Sequence, residues 1–323
     1  IDTDYPDERI VLMLKDTKSK VVIVSNKSEE RMREIILDNG LDINILNVDS
    51  LNGEISSLNH LDNVSVDVDD VACVLYTSGT TGTPKGIMIS NYSFNALAQQ
   101  SAVNVIDVRP KDKIVTLLPI FHGFGLGVCV HTPLCLKVET IIMPEYDAGR
   151  FTKIMKELKP NVLAGVPTLW EGMMNNKKFD NVDMSQLKYI VSGGDHLTVA
   201  AEARINDFLH KHGANIEITK GYGMTELSAT AISSCVAAND IGCVGIPLVI
   251  NTVKIVDSDT LQELKYNDIG EIWISGASVM LGYLNKPKET AETVITDKNG
   301  VRWIRTGDLG YMTQDGLVYH KGR

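Results

Sequence analysis

Hydroxyl, glycine and lysine residues are concentrated in one short stretch of the chain. Residues 77–86 read Thr-Ser-Gly-Thr-Thr-Gly-Thr-Pro-Lys-Gly and continue the β-branched run 71–77. Glycine lets the backbone approach a ligand closely, amide and hydroxyl groups donate to phosphate oxygens, and the lysine ammonium supplies countercharge. The stretch differs from a Walker A loop because Pro84 precedes Lys85 and Gly86 follows it. It predicts a phosphate-binding loop, and on composition alone a flexible surface loop is the alternative.

A second group of functional side chains lies in residues 221–226, which read Gly-Tyr-Gly-Met-Thr-Glu and follow the predicted strand 216–220. The segment brings an aromatic ring, a hydroxyl and a carboxylate close together. These groups suit a purine that stacks on the ring, a phosphate oxygen and a Mg²⁺ ion, which prefers oxygen ligands. For Tyr222 taken alone, ordinary packing in the core is the alternative.

Short β-branched runs alternate with helical patterns around these motifs. The run 21–25 precedes a helical pattern over 28–40, in which Ser28 is predicted to cap the helix and Gly40 to end it. Such alternation is typical of parallel βα units. From about Asn239 onward the pattern changes to strands without strong helices.

The expected fold is therefore α/β, with layers of βα units around a mostly parallel sheet and a C-terminal β-rich, barrel-like subdomain. The predicted boundaries are 1–238 for the α/β core and 239–323 for the β-rich part. The latter includes a predicted hairpin over 311–320 with its turn at Asp315 and Gly316.

The composition is that of an ordinary globular protein. The 323 residues are 44% hydrophobic and 22% charged, which excludes a disordered or collagen-like chain. The net charge of −10 disfavours binding to nucleic acid or to anionic membranes. The five cysteines form no Cys-x-x-Cys pair, so neither a disulfide framework nor a zinc site is indicated, and a reducing, cytoplasmic location is expected.

One uncharged segment, residues 114–136, is long enough to cross a bilayer. Prolines, histidines and glycines interrupt it, however, including Pro119, His122 and Gly125. A buried strand, a glycine-rich turn and a core helix therefore fit this segment better than a transmembrane helix.

The order of the motifs resembles that of the adenylate-forming superfamily, which includes acyl-CoA synthetases, luciferases and peptide-synthetase adenylation domains. The loop 77–86 resembles its phosphate-binding signature, and 221–226 its adenine and phosphate motif. Residues 1–10 are similar to a segment that opens the second structural portion of many members. Residues 270–290 and 305–323 resemble late motifs of the large domain. The resemblance extends over nearly the whole chain and implies the fold of that large domain.

The resemblance implies a role for each matching residue of the nucleotide site. It assigns the phosphates to the loop residues Thr77, Ser78, Gly79, Thr80, Thr81, Gly82 and Lys85. It assigns the adenine and the α-phosphate to Gly221, Tyr222, Gly223, Met224 and Thr225, with Tyr222 on the adenine and Thr225 on the α-phosphate. Glu226 is assigned to Mg²⁺, and Asp308 and Arg323 to the ribose hydroxyls, because a carboxylate can accept from both.

Further positions follow from the same resemblance. Gly193, Gly194 and Asp195 match a glycine-rich turn beside the adenine. Many relatives carry a small residue or Glu where this chain has Asp195, so three roles stay open: contact with the adenine amine, contact with the substrate, or a cap for the next helix. The acid pocket is assigned to His122, Val166, Thr168, Gly194 and Gly223. Lys85, Thr225, Glu226 and His122 are the expected catalytic residues.

The implied reaction begins with attack of a carboxylate on the α-phosphorus of ATP, which releases pyrophosphate and leaves an acyl-adenylate. A thiol then attacks this mixed anhydride. The protein positions the reactants and neutralises developing charge. ATP, Mg²⁺ and coenzyme A are the expected ligands, with a carrier protein as the alternative thiol.

The acid is expected to be fatty or aryl. Amino-acid-activating relatives hold the substrate ammonium with an aspartate just beyond a Phe-Asp pair, whereas this chain has Phe121-His122 and no acidic residue in 114–138. A buried ammonium without a counter-charge is costly. An amino-acid adenylation domain is the runner-up, supported by residues 1–10 and by Asp195 as an ammonium partner. A non-catalytic nucleotide-binding module is the other alternative.

Relatives continue past the motif that ends at Arg323 into a hinge and a small mobile domain whose lysine contacts the reacting carboxylate. The sequence predicts that this lid domain lies outside the 323 residues, as does a portion ahead of Ile1. Slow adenylate formation by this chain alone is expected, because a positioned charge at phosphoryl transfer is commonly worth about 10²–10³ in rate.

Overall fold

The computed structural model describes residues 1–51, 64–77, 84–104, 107–143 and 145–323. The α-helices in these ranges are α1 (Asp7–Thr17), α2 (Asn26–Asp38), α3 (Asn91–Asn104), α4 (Thr132–Cys135), α5 (Ala148–Glu157), α6 (Pro167–Met174), α7 (Val199–Lys211) and α8 (Pro287–Thr293). A π-helix covers Phe124–His131, and 3₁₀ turns cover Val48–Ser50, Lys177–Phe179 and Thr225–Leu227.

The strands follow one another along the chain with helices between many of them. They are β1 (Val21–Val24), β2 (Asn44–Asn47), β3 (Val71–Thr77), β4 (Lys85–Ser90), β5 (Lys113–Thr116), β6 (Glu139–Ile142), β7 (Val162–Gly165), β8 (Tyr189–Ser192), β9 (Thr219–Tyr222), β10 (Ile232–Ser233), β11 (Ile246–Pro247), β12 (Asn251–Val256), β13 (Gly270–Gly276), β14 (Gly282–Tyr283), β15 (Val294–Thr296), β16 (Arg302–Met312) and β17 (Val318–Gly322).

The central sheet has seven strands in the order β11-β10-β9-β8-β7-β5-β6. Strands β6, β5, β7, β8 and β9 are parallel, whereas β10 pairs antiparallel with both β9 and β11. Successive residues point to opposite faces. Leu163 and Ile190 therefore pack beneath α5, α6 and α7, while Val162 and Val191 face the π-helix. The sheet thus separates two apolar layers.

A second, antiparallel sheet dominates the C-terminal part, in the order β12-β13-β16-β15 with β17 on β16. The three-stranded sheet β14-β4-β3 packs against it through one core, in which Ile87 and Ile89 meet Ile272 and Ile304. Strands β1 and β2 form a small parallel sheet that packs on α1 and α2 around Ile10.

The expected α/β class, with a mostly parallel sheet and a β-rich C-terminal part, is confirmed, and β16 and β17 form the predicted hairpin. The domain boundary near residue 239 stays a prediction. Two local expectations are wrong. Ser25, not Ser28, is the N-cap residue of α2, and Ser28 completes the capping box by accepting from the Ser25 backbone N–H. Strand β3 pairs antiparallel with β4 and so belongs to no parallel unit.

The apolar segment 114–136 contributes to β5, the π-helix and α4. It therefore folds as separate short elements and not as one long helix. None of the helices in the described part of the chain combines the length and apolarity that a bilayer-spanning helix needs.

Candidate active site

The predicted phosphate loop connects two strands that are paired directly at its ends. Thr77 lies opposite Lys85 in the antiparallel β3–β4 ladder. Residues 78–83, and with them the predicted contacts of Ser78, Gly79, Thr80, Thr81 and Gly82, lie outside the described residues. The ladder therefore holds Thr77 and Lys85, on either side of this segment, opposite each other.

Lys85, Tyr283 and Glu226 form a compact polar cluster at the start of β4. The Lys85 Nζ lies 4.6 Å from the centroid of the Tyr283 ring, a cation–π geometry. The Tyr283 hydroxyl donates to Glu226 Oε1 over 2.8 Å. Burial, followed by the charge of Glu226, raises the pKa of Tyr283, so the hydroxyl stays protonated and can donate. Tyr283 thereby links the loop lysine to the motif glutamate.

The geometry of Glu226 fits a partly hydrated Mg²⁺ ion. Its side chain is buried, with 7% exposed, and its backbone carbonyl accepts from Met280 N over 3.0 Å. Mg²⁺ commonly uses one or two carboxylates together with phosphates and water. No cluster of three or more His, Cys, Asp or Glu side chains suited to a metal occurs in the described residues. Glu226 can therefore supply one carboxylate to such an ion.

The backbone folds tightly around the motif 221–226. Strand β9 runs on to Tyr222, further than the predicted strand 216–220. A side chain on Gly223 would place its Cβ 2.1 Å from the Ala229 carbonyl oxygen, so glycine is required for this close approach. The chain then turns through Thr225–Leu227. This turn sets Thr225 and Glu226 at the carboxyl end of the parallel strands, where ligands bind in open α/β sheets.

Asp308 joins the β-rich part to this motif. Its Oδ2 accepts from the Tyr222 hydroxyl over 2.8 Å, and its Oδ1 accepts from Arg323 Nε over 2.6 Å. Burial acts to raise the pKa of Asp308, but hydrogen bonds from His320, Arg323 and Tyr222 outweigh it and hold the pKa below its usual value. The carboxylate stays ionised and keeps lone pairs for further donors, such as ribose hydroxyls.

A bulge in the antiparallel sheet positions Asp308. Glu271 lies opposite Leu309 and Trp273 lies opposite Arg305, so residues 306–308 stand opposite one residue of β13. Glu271 fixes the bulge because its Oε1 accepts from Gly307 N and its Oε2 from Arg305. The bulge turns Asp308 toward Tyr222.

The glycine-rich turn 193–195 follows β8 at the same edge. Gly193 is buried, whereas Gly194 and Asp195 are exposed. Thr198 caps α7 by accepting from Ala201 N, so Asp195 is not the cap. Its Oδ1 instead accepts from the His196 backbone N–H over 2.7 Å.

A cavity of about 260 Å³ opens beside the motif and runs over the sheet face that the π-helix covers. Gly194, Gly223 and Thr225 line one end, and His122 lies there too. The walls farther along the sheet are mostly apolar and include Val191, with some polar side chains such as Thr132 among them. The π-helix packs closely against the turn that precedes it, because a Cβ on Gly125 would lie 2.1 Å from the Pro119 carbonyl oxygen.

The predicted pocket residues divide into two groups. His122, Gly194 and Gly223 line the cavity, whereas Val166 and Thr168 are not among its lining residues. Val166 is the N-cap residue of α6, beside Gly194, and Thr168 is exposed. His122 is exposed at the mouth and is no core histidine.

Sequence reasoning missed four side chains of this site. Tyr283 and Glu271 lie within residues 270–290, which resemble a late family motif, but residue type alone does not reveal their hydrogen-bond partners. His320 places its ring 5.7 Å from that of Tyr222. Lys220, directly before the motif, forms a buried ion pair with Glu202 of α7. The one sequence signal for this pair was a lysine in the predicted strand 216–220, because lysine is rarely buried unless it is paired.

Comparison with known proteins identifies the family. A family model described as AMP-binding enzyme matches residues 1–284. The chain belongs to this family. The resemblance that the motifs indicate is therefore confirmed. The chain is 31% identical over 252 residues to a long-chain-fatty-acid–CoA ligase of Bacillus subtilis and 30% identical over 332 residues to a 4-coumarate:CoA ligase of Petunia hybrida.

These alignments cover 77% and 98% of this AMP-binding family member, but only 43% and 59% of the two relatives. The crystal structure of ATP-bound MatB from Rhodopseudomonas palustris matches with a TM-score of 0.88 at 25% identity, covering 100% of this chain and 63% of that one. The inhibitor-bound N-terminal domain of FACL13 from Mycobacterium tuberculosis matches with a TM-score of 0.87 at 28% identity, covering 100% and 79%.

Proposed function

We propose that this chain carries the nucleotide-binding and acid-binding part of an AMP-forming acid–thiol ligase. One observation carries the proposal. Gly223 and Thr225 belong both to the cavity lining and to the motif 221–226, whose Tyr222 donates a hydrogen bond to Asp308. An acid lying in the cavity would meet a nucleotide held by Tyr222 and Asp308 at Thr225. This is the arrangement that joining a carboxylate to the α-phosphorus of ATP requires.

In the proposed reaction an oxygen of the acid attacks the α-phosphorus, the bond to the pyrophosphate oxygen breaks, and an acyl-adenylate forms. Thr225 donates to an α-phosphate oxygen, and Lys85 offsets the charge on the leaving pyrophosphate. Asp308 holds the ribose, and Tyr222 holds the adenine by stacking. Mg²⁺ at Glu226 would supply further positive charge. A thiol, proposed to be that of coenzyme A and alternatively that of a carrier protein, then takes the acyl group and releases AMP.

The cavity supports an apolar acid without an ammonium group. No carboxylate occurs among the described residues that line it, and Asp195 lies exposed outside the lining. A buried ammonium would lack a partner there. The fatty and 4-coumarate ligases among the relatives support the same choice.

The free thiols of the five cysteines support a reducing compartment.

Cavity size narrows the acid further. A cavity of about 150 Å³ holds a benzene ring, so 260 Å³ suits an acid of roughly ten carbon atoms. We therefore propose an aryl or medium-chain acid, which would fill the cavity.

A panel of acids in ATP–pyrophosphate exchange tests the proposal. We expect octanoic and 3-phenylpropanoic acids to stimulate exchange at least tenfold more than phenylalanine, because the described lining is mostly apolar and holds no carboxylate to pair with an ammonium group. Heat-inactivated protein and omission of the acid are the controls. Stimulation by phenylalanine and not by the two apolar acids would contradict the proposal and favour amino-acid activation.

A further inference from the structure

The backbone beside Lys85 is covered by a tyrosine from the neighbouring strand. Tyr76 of β3 lies directly opposite Gly86 of β4, in the pair next to Thr77 and Lys85. A Cβ on Gly86 would lie 2.9 Å from Tyr76 Cζ, so the Tyr76 ring occupies the space that a side chain there would need. Glycine permits this close packing. The ring therefore lies against β4 immediately after Lys85.

The Tyr76 hydroxyl is held by Asp16, near the end of α1. It donates to Asp16 Oδ2 over 2.6 Å. Burial, followed by the hydrogen bond to Asp16, raises the pKa of Tyr76, so the hydroxyl stays protonated and can donate. The helix that carries Asp16 is itself fixed, because Ile10 and Leu14 of α1 share one core with Val22 of β1.

The second carboxylate oxygen of Asp16 holds a segment that follows β14. Asn285 Nδ2 donates to Asp16 Oδ1 over 2.9 Å and to the Asp16 backbone carbonyl over 3.0 Å. Asn285 has a φ of 55°, in the left-handed region that asparagine tolerates better than most residues. It lies two positions after Tyr283, whose ring centroid is 4.6 Å from Lys85 Nζ.

Asp16 thus bridges the two strands on either side of β4. In their sheet β4 lies between β14 and β3, and Asp16 bonds to Tyr76 of β3 and to Asn285 just after β14. Leu284, directly before Asn285, donates from its N to the Gly86 carbonyl over 2.7 Å. The bridge therefore lies across the start of β4, where Lys85 is the first residue.

We infer that Asp16 is a positioning residue that directs the Lys85 ammonium toward the β- and γ-phosphates of ATP. Lysine carries a point charge on a flexible stem, so the charge is directed by fixing the backbone and the ring beside it. Asp16 fixes the backbone through Tyr76, and it fixes the segment that carries the Tyr283 ring through Asn285. This inference rests on the proposed function, in which Lys85 offsets the charge on pyrophosphate.

Comparison of ATP with AMP tests the inference, because AMP lacks the phosphates that Lys85 would contact. Calorimetry is performed with each nucleotide in the presence of Mg²⁺ and without an acid. Asp16→Ala should weaken ATP binding about tenfold and AMP binding less than twofold, because a misplaced ammonium loses much of its charge-assisted contact with phosphate. Unchanged AMP affinity also verifies folding.

Two milder variants keep more of the bridge. Tyr76→Phe retains the ring on Gly86 and removes only the hydroxyl, and it should weaken ATP binding about threefold. Asp16→Asn should lie between wild type and Asp16→Ala, because its amide oxygen can still accept one of the two hydrogen bonds. AMP affinity should again be unchanged in both.

The Lys85→Met variant shows whether Asp16 acts through the lysine. Without the ammonium, adding Asp16→Ala should weaken ATP binding by less than a further twofold, whereas independent effects would multiply. Asp7→Ala is the matched control, because Asp7 lies in the first turn of the same helix and pairs with Arg31 of α2. It is about 14 Å along the helix from Asp16. This variant should keep the ratio of ATP to AMP affinity within twofold of wild type.

The outcomes are distinct for the two proposals. The inference is overturned if Asp16→Ala leaves ATP affinity unchanged, weakens ATP and AMP binding equally, or keeps its full effect in the Lys85→Met background. In these cases binding of both nucleotides by the wild type leaves the proposed function standing. If Asp16→Ala does not fold, Tyr76→Phe and Asp16→Asn decide by the same comparison. If wild-type protein binds neither nucleotide, the proposed function fails and the inference fails with it.

Discussion

Replacing Asp308 with alanine should weaken ATP binding about 100-fold, which corresponds to about 2.7 kcal/mol. The ionised carboxylate would accept from both ribose hydroxyls, and each hydrogen bond to a charged group contributes about 1.5–3 kcal/mol. The substitution also removes the acceptor of the Tyr222 hydroxyl and of Arg323. Calorimetric titration of the variant with ATP and with AMP measures the loss. Both nucleotides should be affected equally, since they share the ribose.

Asp315→Asn is the matched control. Asp315 is an exposed carboxylate in the turn between β16 and β17, near Asp308 in sequence. Its substitution should change nucleotide affinity less than twofold, because an exposed charge is largely screened. Asp308→Asn should be intermediate, since the amide oxygen still accepts but the charge is lost. Unchanged ATP affinity in Asp308→Ala would refute the ribose role.

Lys220→Met should lower the free energy of unfolding by about 3–5 kcal/mol, the usual cost of removing one partner of a buried ion pair. Lys220 and Glu202 form a hydrogen-bonded pair whose side chains are 6% and 3% exposed. Glu202 Oε2 also accepts from Gly242 N, and Lys220 donates to the Asp240 carbonyl. The pair therefore joins α7, β9 and the segment near residue 240. Urea denaturation followed by tryptophan fluorescence measures the change.

Two further variants separate the buried pair from a general charge effect. Glu157→Gln breaks an exposed pair with Lys153, whose side chains are 61% and 71% exposed, and should cost less than about 0.5 kcal/mol. The double variant Lys220→Met with Glu202→Leu should recover much of the stability, because no unpaired buried charge remains. A loss below about 1 kcal/mol in Lys220→Met would contradict this prediction, because it would show that Glu202 is not left as an unpaired buried charge.

The sequence was sufficient to predict the fold class and the positions of the motifs. The spacing of hydrophobic residues shows which face of a strand or helix is buried, so the alternation of strands and helices can be predicted from the sequence. The bulge that aims Asp308 at Tyr222 was not predictable, because it depends on the register between β13 and β16 and on Glu271, a partner 37 residues away from Asp308. Long-range pairings of this kind leave no local pattern.

The acid pocket shows the same limit. The glycine-rich segment after β5 predicted a turn and a core helix, yet its structure is a π-helix that covers a cavity. His122 lines this cavity, whereas Val166 and Thr168 do not, because closeness in sequence to a pocket does not fix which side chains face it.

Transfer of heavy oxygen from the acid to AMP tests whether this chain activates a carboxylate at the α-phosphorus of ATP. The purified protein is incubated with ATP, Mg²⁺, coenzyme A as the acyl acceptor, and 3-phenylpropanoic acid whose two carboxylate oxygens are heavy isotopes, and AMP is analysed by mass spectrometry. Attack at the α-phosphorus leaves one acid oxygen on AMP after the acyl group is released, so AMP with one heavy oxygen is the predicted product. Heavy oxygen in orthophosphate with ADP as the product, or AMP without label, would contradict it.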